Sequence, residues 1–176
     1  MAIDRQKTET VHWHAVFTAS RAEKKVRDRL EELGVECFLP VQTVLRQWTY
    51  RKSRVVVPVI AGLVFVRVGR QGQVKVLQTK GVVAFLRLKG EAGAAVIPDK
   101  QMEDFRFLLD FSEEAVEMTN ENIKAGDLVR VVKGSLRGME GELIRHRGVT
   151  KVLVRIDMLG CAMVNIPASF VEKLNK

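Results

Sequence analysis

The longest apolar run of the chain is Val55 to Val68, V-V-V-P-V-I-A-G-L-V-F-V-R-V. Val and Ile restrict the first side-chain torsion and fit a pleated surface, so the run predicts β-structure. It is too short to span a bilayer as a helix. Pro58 lacks a ladder N–H and Gly62 has no side chain to pack, so we expect a bend or split there. Two interpretations are open: a strand buried on both faces, or one whose part around Ile60–Phe65 binds a partner.

The composition predicts a cytoplasmic protein of one or two domains. Of 176 residues, 47% are apolar and 28% are charged, which supports a core and argues against a membrane protein. No signal-peptide pattern opens the chain, and the polar start predicts a disordered tail over 1–11. Cys37, Cys161 and three histidines show no zinc spacing. We therefore expect reduced thiols, no metal and no cofactor.

The charge is distributed in blocks. Residues 1–111 carry 19 basic and 12 acidic side chains, 112–122 carry four acids and no base, and 123–176 carry 10 basic and 5 acidic. The net charge is +8. Two basic blocks around an acidic spacer favour two domains near a polyanion over ordinary solvated surface.

A capped helix is predicted after a first strand, Trp13 to Thr18. Ser20 stands three residues before Glu23, the spacing of a capping box. Ala22, Val26, Leu30 and Leu33 form one apolar stripe, and Gly34 ends the helix. A basic row beside the stripe could face phosphates or solvent, and the sequence leaves both interpretations open. The row consists of Arg21, Lys25 and Arg29.

The segment Val41 to Arg54 interleaves basic and aromatic residues. Such interleaving suits contact with a single nucleic-acid strand, and a charged β-hairpin arm is the alternative. The basic residues are Arg46, Arg51, Lys52 and Arg54, around Trp48 and Tyr50.

Further along, Gly69 to Gly72 predicts a turn, and Val74 to Leu77 a short helix or turn. A strand over Val82 to Leu88 and a helix with Pro98 at its first position follow. The acidic segment 112–122 predicts a linker. After it, five short strands with glycine turns predict a small closed barrel, so the chain is α+β overall.

Two stretches resemble the NusG family of transcription factors. The barrel segment resembles its KOW motif through Gly126, Asp127, Val129, Val131, Gly134, Gly138 and Gly141. The earlier part resembles its NGN domain through Trp13 to Phe17, Phe38 to Pro40, Val57-Pro58, Gly62 to Val66 and Thr79 to Val82. Order and spacing agree over about 160 residues. The resemblance implies an NGN domain at 12–111 with helices flanking an antiparallel sheet, a linker at 112–122 and an SH3-like KOW barrel at 123–176.

Within the family, Ala19 to Val26 and Val44 to Trp48 are similar to UpxY-type antiterminators of capsule-polysaccharide operons. RfaH is a more distant relative. This similarity implies an operon-specific processive antiterminator that is not an enzyme.

The resemblance also implies partners. The apolar positions that match the site for the clamp helices of RNA polymerase are Phe17, Ile60, Ala61, Leu63 and Phe65. Gln78, Thr79 and Lys80 match the segment that touches the opposite jaw. Leu63 stands where the family usually has Tyr. Relatives contact non-template DNA or nascent RNA near the positions of the basic row, and the KOW domain of NusG contacts Rho or the ribosome. A monomer without membrane contact is expected.

Other functions remain to be compared with this one. The protein could be a general NusG-type factor or a ribosome-associated RNA-binding KOW protein. The order of the NGN-like motifs argues against the ribosome-associated protein. An enzyme is disfavoured because no nucleophile or paired-carboxylate motif stands out, so no catalytic residue is predicted.

Overall fold

The computed structural model describes residues 9–174, and the chain divides into two compact units. The first unit is Met1–Leu39 with Gly62–Val96, and the second is Pro40–Ala61 with Ile97–Lys176. Residues 1–8 of the predicted tail and the last two residues of the predicted KOW domain lie outside the described residues. The α+β class is confirmed, because the described residues form three α-helices and antiparallel sheets.

The first unit is built on a four-stranded antiparallel sheet. Its strands are β1 (His12–Thr18), β2 (Glu36–Phe38), β5 (Leu63–Val68) and β6 (Val82–Phe85). The order is β2-β5-β1-β6, so β5 and β1 are central. Val16, Val64 and Val66 are fully buried, because β-branched side chains fill the interior of the pleated sheet. The sheet flanked by helices, expected from the resemblance, is confirmed.

Helix α1 (Glu23–Glu32) buries Val26 and Leu30 as predicted, whereas Leu33 lies beyond its end and is exposed. The predicted capping box is wrong. Ala22 occupies the N-cap and no side chain caps the helix. The carboxylate of Glu23 instead accepts the N–H of Gly62 at 2.7 Å, a partner 39 residues away that the local pattern does not reveal.

Helix α2 (Arg70–Leu77) begins inside the stretch predicted as a turn. The carboxylate of Glu9 accepts the N–H of Gln71 at 2.8 Å, within the first turn of this helix. An acidic group at this end satisfies a free donor and complements the helix dipole. The interaction joins residues 62 positions apart, so the glycine-bounded sequence alone suggested a turn.

In the second unit, β3 (Val41–Trp48) and β4 (Arg51–Pro58) form a separate two-stranded ribbon closed by Thr49 and Tyr50. The hairpin considered from the sequence is therefore present. Helix α3 (Asp99–Phe111) buries Met102, Phe105 and Leu108. The sequence predicts Pro98 as the first helical residue of α3. It is instead the N-cap, and the helix begins one residue later, at Asp99.

The rest of the second unit is a six-stranded antiparallel sheet in the order β12-β8-β9-β10-β11-β7. The KOW-like barrel predicted from the glycine pattern is confirmed, with one strand more than expected. That strand, β7, lies inside the predicted linker and pairs with β11. The strands are β7 (Glu117–Thr119), β8 (Asp127–Val131), β9 (Glu140–His146), β10 (Val149–Ile156), β11 (Gly160–Asn165) and β12 (Val171–Lys173), with a 3₁₀ turn at Ala168–Phe170 before β12.

Candidate binding surfaces

The central sheet of the first unit places three of the predicted polymerase positions on one face. Phe17 lies directly opposite Leu63, and Ala15 lies opposite Phe65. Alternate residues of a strand share a face, so Phe17, Leu63 and Phe65 lie on the same side. Phe17 is 42% exposed, whereas Leu63 is 2% and Phe65 is 0% exposed. In this structure only Phe17 of the three offers surface to a partner.

Ile60 and Ala61 complete the predicted set and belong to the second unit. Ile60 is half-buried and Ala61 is exposed. Both precede Gly62 in the turn between β4 and β5. Exposure thus differs across the five positions, although the sequence presents them as one apolar stretch.

Gly62 fixes the point where the apolar run divides. Its φ of +71° lies in the left-handed region that side chains disfavour. Its N–H donates to Glu23 Oε1, and its carbonyl accepts the N–H of Thr18 at 2.8 Å. Glu23 is itself buried, so this bond satisfies a buried carboxylate and a backbone donor together.

The segment Gln78, Thr79 and Lys80 follows α2. Thr79 is buried, and its hydroxyl donates to the carbonyl of Lys75 at 3.0 Å. Gln78 and Lys80 are exposed. Thr79 therefore fixes the shape of the segment, while its two neighbours remain accessible.

The predicted basic row does not form as a helical row. Arg21 precedes α1 and has a φ of +57°, so only Lys25 and Arg29 lie on the helix. Arg29 Nη1 donates to the carbonyl of Lys80 at 2.7 Å. Lys25 is exposed. The row does not form because the helix cap is Ala22, two residues after the predicted cap Ser20.

The arm formed by β3 and β4 carries the other predicted nucleic-acid residues, and its register distributes them over two faces. Arg46 lies opposite Ser53 and Trp48 opposite Arg51. Leu45 lies opposite Arg54 and Gln47 opposite Lys52. Arg46, Arg51, Lys52 and Arg54 are all exposed. Tyr50 in the turn is almost fully exposed.

The residues of the KOW-like motif have structural roles in the barrel. Val129 and Val131 are buried, and Asp127 pairs with Lys173 at 2.7 Å. A Cβ on Gly126 would stand 2.2 Å from the carbonyl oxygen of Leu143, which explains why only glycine fits there. Gly134, Gly138 and Gly141 lie in the loop after β8 and at the start of β9. The motif therefore specifies the barrel rather than a reactive site.

One ion pair stabilises the start of the barrel. Arg155 Nε and Nη2 donate to the two carboxylate oxygens of Glu142 at 2.6 and 2.9 Å. Glu142 also accepts the N–H of Gly126 at 3.0 Å. The hydrogen bonds from Arg155 lower the pKa of Glu142 below its ordinary value.

Burial governs both cysteines. It raises the pKa of Cys37 to about 11 and raises the pKa of Cys161 as well. Both thiols are therefore protonated at neutral pH and are poor nucleophiles. Among residues 9–174, no three His, Cys, Asp or Glu side chains cluster as a metal site would require. No helix within that part of the chain is both long and apolar enough to cross a membrane.

Sequence reasoning missed several residues that organise these surfaces. The spacing of Ser20 and Glu23 predicts a capping box, whereas Glu23 bonds Gly62. Trp48 Nε1 donates to Ser53 Oγ at 3.1 Å, a contact that no sequence motif indicates. The amide of Gln42 bonds both the N–H and the carbonyl of Val116, at 2.8 and 3.2 Å. Each contact joins positions that only the folded chain brings together. The spacing of two between Arg46 and Trp48 is the one local signal that places both side chains on the same face of β3.

Comparison with known proteins agrees with this architecture of a helix-flanked sheet and a barrel. The family model described as NusG, transcription termination factor nusG, matches residues 11–106. A solved structure titled "Domain interaction in Thermotoga maritima NusG" is 23% identical, with a TM-score of 0.50, and the match covers 94% of this chain and 98% of that one.

A second solved structure, "Crystal Structure of MjSpt4:Spt5 complex conformation A", is 18% identical with a TM-score of 0.28, over 93% of this chain and 99% of that one. None of the curated proteins compared with the chain matches it.

The fold is thus a helix-flanked antiparallel sheet together with a KOW-like barrel. Because the family model covers more than half of the sequence, the chain belongs to the NusG family. The family resemblance inferred from the motifs of the first stretch is confirmed, and the match ends before the glycine motif at 126–141.

Proposed function

We propose that this protein is a non-enzymatic elongation factor that binds RNA polymerase and suppresses pausing and termination. The observation that carries the proposal is the family match over residues 11–106. That range includes the β1–β5 sheet and the arm. The family is described by termination, whereas this proposal is suppression of termination, so the direction of the effect on transcripts is the quantity to measure.

The polymerase contact is proposed for the apolar positions that match the family, namely Phe17, Ile60, Ala61, Leu63 and Phe65, with the clamp helices as their partner. Exposure makes Phe17 and Ala61 the accessible members. Leu63 and Phe65 would support Phe17 through the packing of β1 and β5. Gln78 and Lys80 are the accessible part of the proposed contact with the opposite jaw, and Thr79 shapes that segment.

Nucleic acid, as non-template DNA or nascent RNA, is the second proposed partner. The exposed basic side chains of the arm supply most of the contact, and Lys25 with Arg21 adds to it. Arg29 contributes less because its guanidinium bonds the carbonyl of Lys80. The excess of basic residues in 1–111 attracts a polyanion over a longer range.

The finer role is inferred from sequence similarity alone. The segments Ala19 to Val26 and Val44 to Trp48 favour an operon-specific processive antiterminator, of a polysaccharide operon, that works in the cytoplasm as a monomer. The barrel would contact Rho or the ribosome. Transcript mapping after deletion of the gene tests this role, since one long operon should lose its distal transcripts.

Retention of the protein on core RNA polymerase without nucleic acid tests the polymerase contact. Phe17→Asp places a charge on the accessible apolar surface. Because burial of such a side chain contributes roughly 1.5–3 kcal/mol, we expect about tenfold to hundredfold weaker binding. Val149→Asp in the barrel is the matched control, since Val149 is similarly exposed and the same charge is introduced.

Two outcomes would contradict the proposal. Wild-type protein that fails to bind core polymerase would exclude the contact altogether. Equal retention of Phe17→Asp and wild type would exclude the proposed surface. Binding to ribosomes but not to polymerase would instead favour a ribosome-associated KOW protein.

A further inference from the structure

The two faces of the arm differ in chemistry. One face presents Arg46 and Trp48 from β3, with Ser53 and Arg51 directly opposite them. The other presents Leu45 and Gln47, with Arg54 and Lys52 opposite. Side chains of directly paired residues share a face, so each face has two cations, but only one has an aromatic ring between them.

The ring of Trp48 is fixed without being covered. Its Nε1 donates to Ser53 Oγ at 3.1 Å, and the side chain remains 57% exposed. No aromatic ring of another described residue stacks on it. A fixed, accessible indole loses little conformational entropy when a flat ligand stacks on it.

The charges beside the ring are available. Neither Arg46 nor Arg51 forms an ion pair with another described residue, and both are exposed. Arg51 is the direct cross-strand neighbour of Trp48. Arginine binds phosphate through two parallel N–H donors, while an aromatic face stacks an unpaired base. A duplex keeps its bases stacked inside and cannot present one to the ring.

We propose that the face formed by Arg46, Trp48 and Arg51 binds an unpaired segment of nucleic acid. One base stacks on Trp48 and the flanking phosphates bind the two guanidinium groups. Lys52 and Arg54, on the other face, add only general electrostatic attraction for the strand. The inference deepens the nucleic-acid role proposed above and rests on it, because it names the strand state and the face.

Intrinsic fluorescence tests the stacking directly. The chain has two tryptophans, and Trp13 is 4% exposed, so a stacking ligand quenches Trp48. The full-length protein is titrated at low salt with single-stranded DNA, single-stranded RNA and a duplex of the same sequence. We expect saturable quenching by a single strand and little by the duplex. The tighter of the two single-stranded ligands identifies the source of the strand.

Paired charge reversals separate the faces. Arg46→Glu with Arg51→Glu and Lys52→Glu with Arg54→Glu change the charge equally on the same ribbon. The first pair should weaken binding by more than about tenfold and reduce the salt slope by about 2. The second pair should weaken it several-fold less. Trp48→Ala should weaken affinity about tenfold to a hundredfold, and Trp48→Phe should retain most of the affinity. Both variants lack the Trp48 fluorophore, so the anisotropy of a labelled oligonucleotide measures their affinity.

Equal losses from the two charge pairs, or unchanged affinity for Trp48→Ala, would overturn the inference. Quenching by the duplex equal to that by the single strand would do the same. Circular dichroism checks that each variant is folded. Retention on core polymerase is measured in parallel, because loss of polymerase binding with normal quenching would contradict the proposed function and leave this inference standing.

Discussion

The two halves of the apolar run Val55–Val68 differ in burial. Val64 and Val66 lie in the central strand β5 and are fully buried. Val55 to Val57 lie in β4 of the arm, where Val56 is exposed and its neighbours are half-buried. All five residues are valines, and they lie within twelve consecutive positions of the chain.

The difference shows that apolar composition alone does not determine burial here. β5 has a strand on each side, whereas β4 has only β3 as a partner. The turn that ends in Gly62 separates β4 from β5, and the hydrogen bonds of Gly62 to Glu23 and Thr18 hold that turn in place. A run that looks continuous in sequence therefore supplies both a core strand and an exposed arm.

The largest expected contrast comes from one substitution made in both halves. Val66→Ala removes buried methyl groups and should lower the free energy of unfolding by about 2–3 kcal/mol. Val56→Ala, at an exposed position, should change it by less than about 0.5 kcal/mol. Urea denaturation of both variants measures the difference. Equal effects would mean that the two strands do not differ in packing.

The contact of Glu23 with the turn should have the next largest effect. Glu23→Ala leaves the N–H of Gly62 without its acceptor and should cost about 1–2 kcal/mol of unfolding free energy. Glu23→Gln retains an acceptor oxygen and should cost less. Glu32→Ala, at an exposed position of the same helix, is the control. A Glu23→Ala variant no less stable than Glu32→Ala would show that the turn does not depend on this bond.

Replacing the turn glycine itself should have a smaller effect. A Cβ at Gly62 has space, with its nearest neighbour at 3.9 Å, so the cost of Gly62→Ala is that of the left-handed backbone alone. We expect about 1 kcal/mol from thermal or urea unfolding. Gly93→Ala, where φ is not positive and no atom lies within 4 Å, should be neutral. Equal effects of the two would exclude strain at Gly62.

The smallest effect is expected in the arm. Trp48→Ala removes an exposed ring and one side-chain hydrogen bond, so the free energy of unfolding should fall by less than about 1 kcal/mol. Its effect on affinity for a single strand, measured by the anisotropy of a labelled oligonucleotide, should be much larger. A destabilisation as great as that of Val66→Ala would place Trp48 in a core and contradict its assignment as a binding residue.

Much of the fold could be predicted from local pattern. The split near Pro58 and Gly62, the buried stripe of α1 and the strands of the barrel all follow from periodicity and turn residues. Contacts between distant positions could not be predicted. Glu23 bonds Gly62 and Glu9 bonds the start of α2, and each displaced a local interpretation, the capping box in one case and a glycine turn in the other.

The candidate site was predicted as residue types rather than as a surface. The sequence located the basic and aromatic residues of the arm, but the register between β3 and β4 decides which of them share a face. The sequence also groups Leu63 and Phe65 with Phe17. That Phe17 is exposed while Leu63 and Phe65 are buried depends on packing around the sheet. Register and depth arise from the whole chain, so single motifs do not determine them.

Single-round transcription with purified core polymerase tests the central claim most directly. The template carries the promoter region of the operon that transcript mapping identifies, followed by a strong pause and a terminator, and the control template lacks that region. The proposed function predicts that the protein shortens the pause and increases full-length transcript on the first template, and that Phe17→Asp does neither. Unchanged pausing and read-through at saturating protein, despite binding to the polymerase, would contradict it.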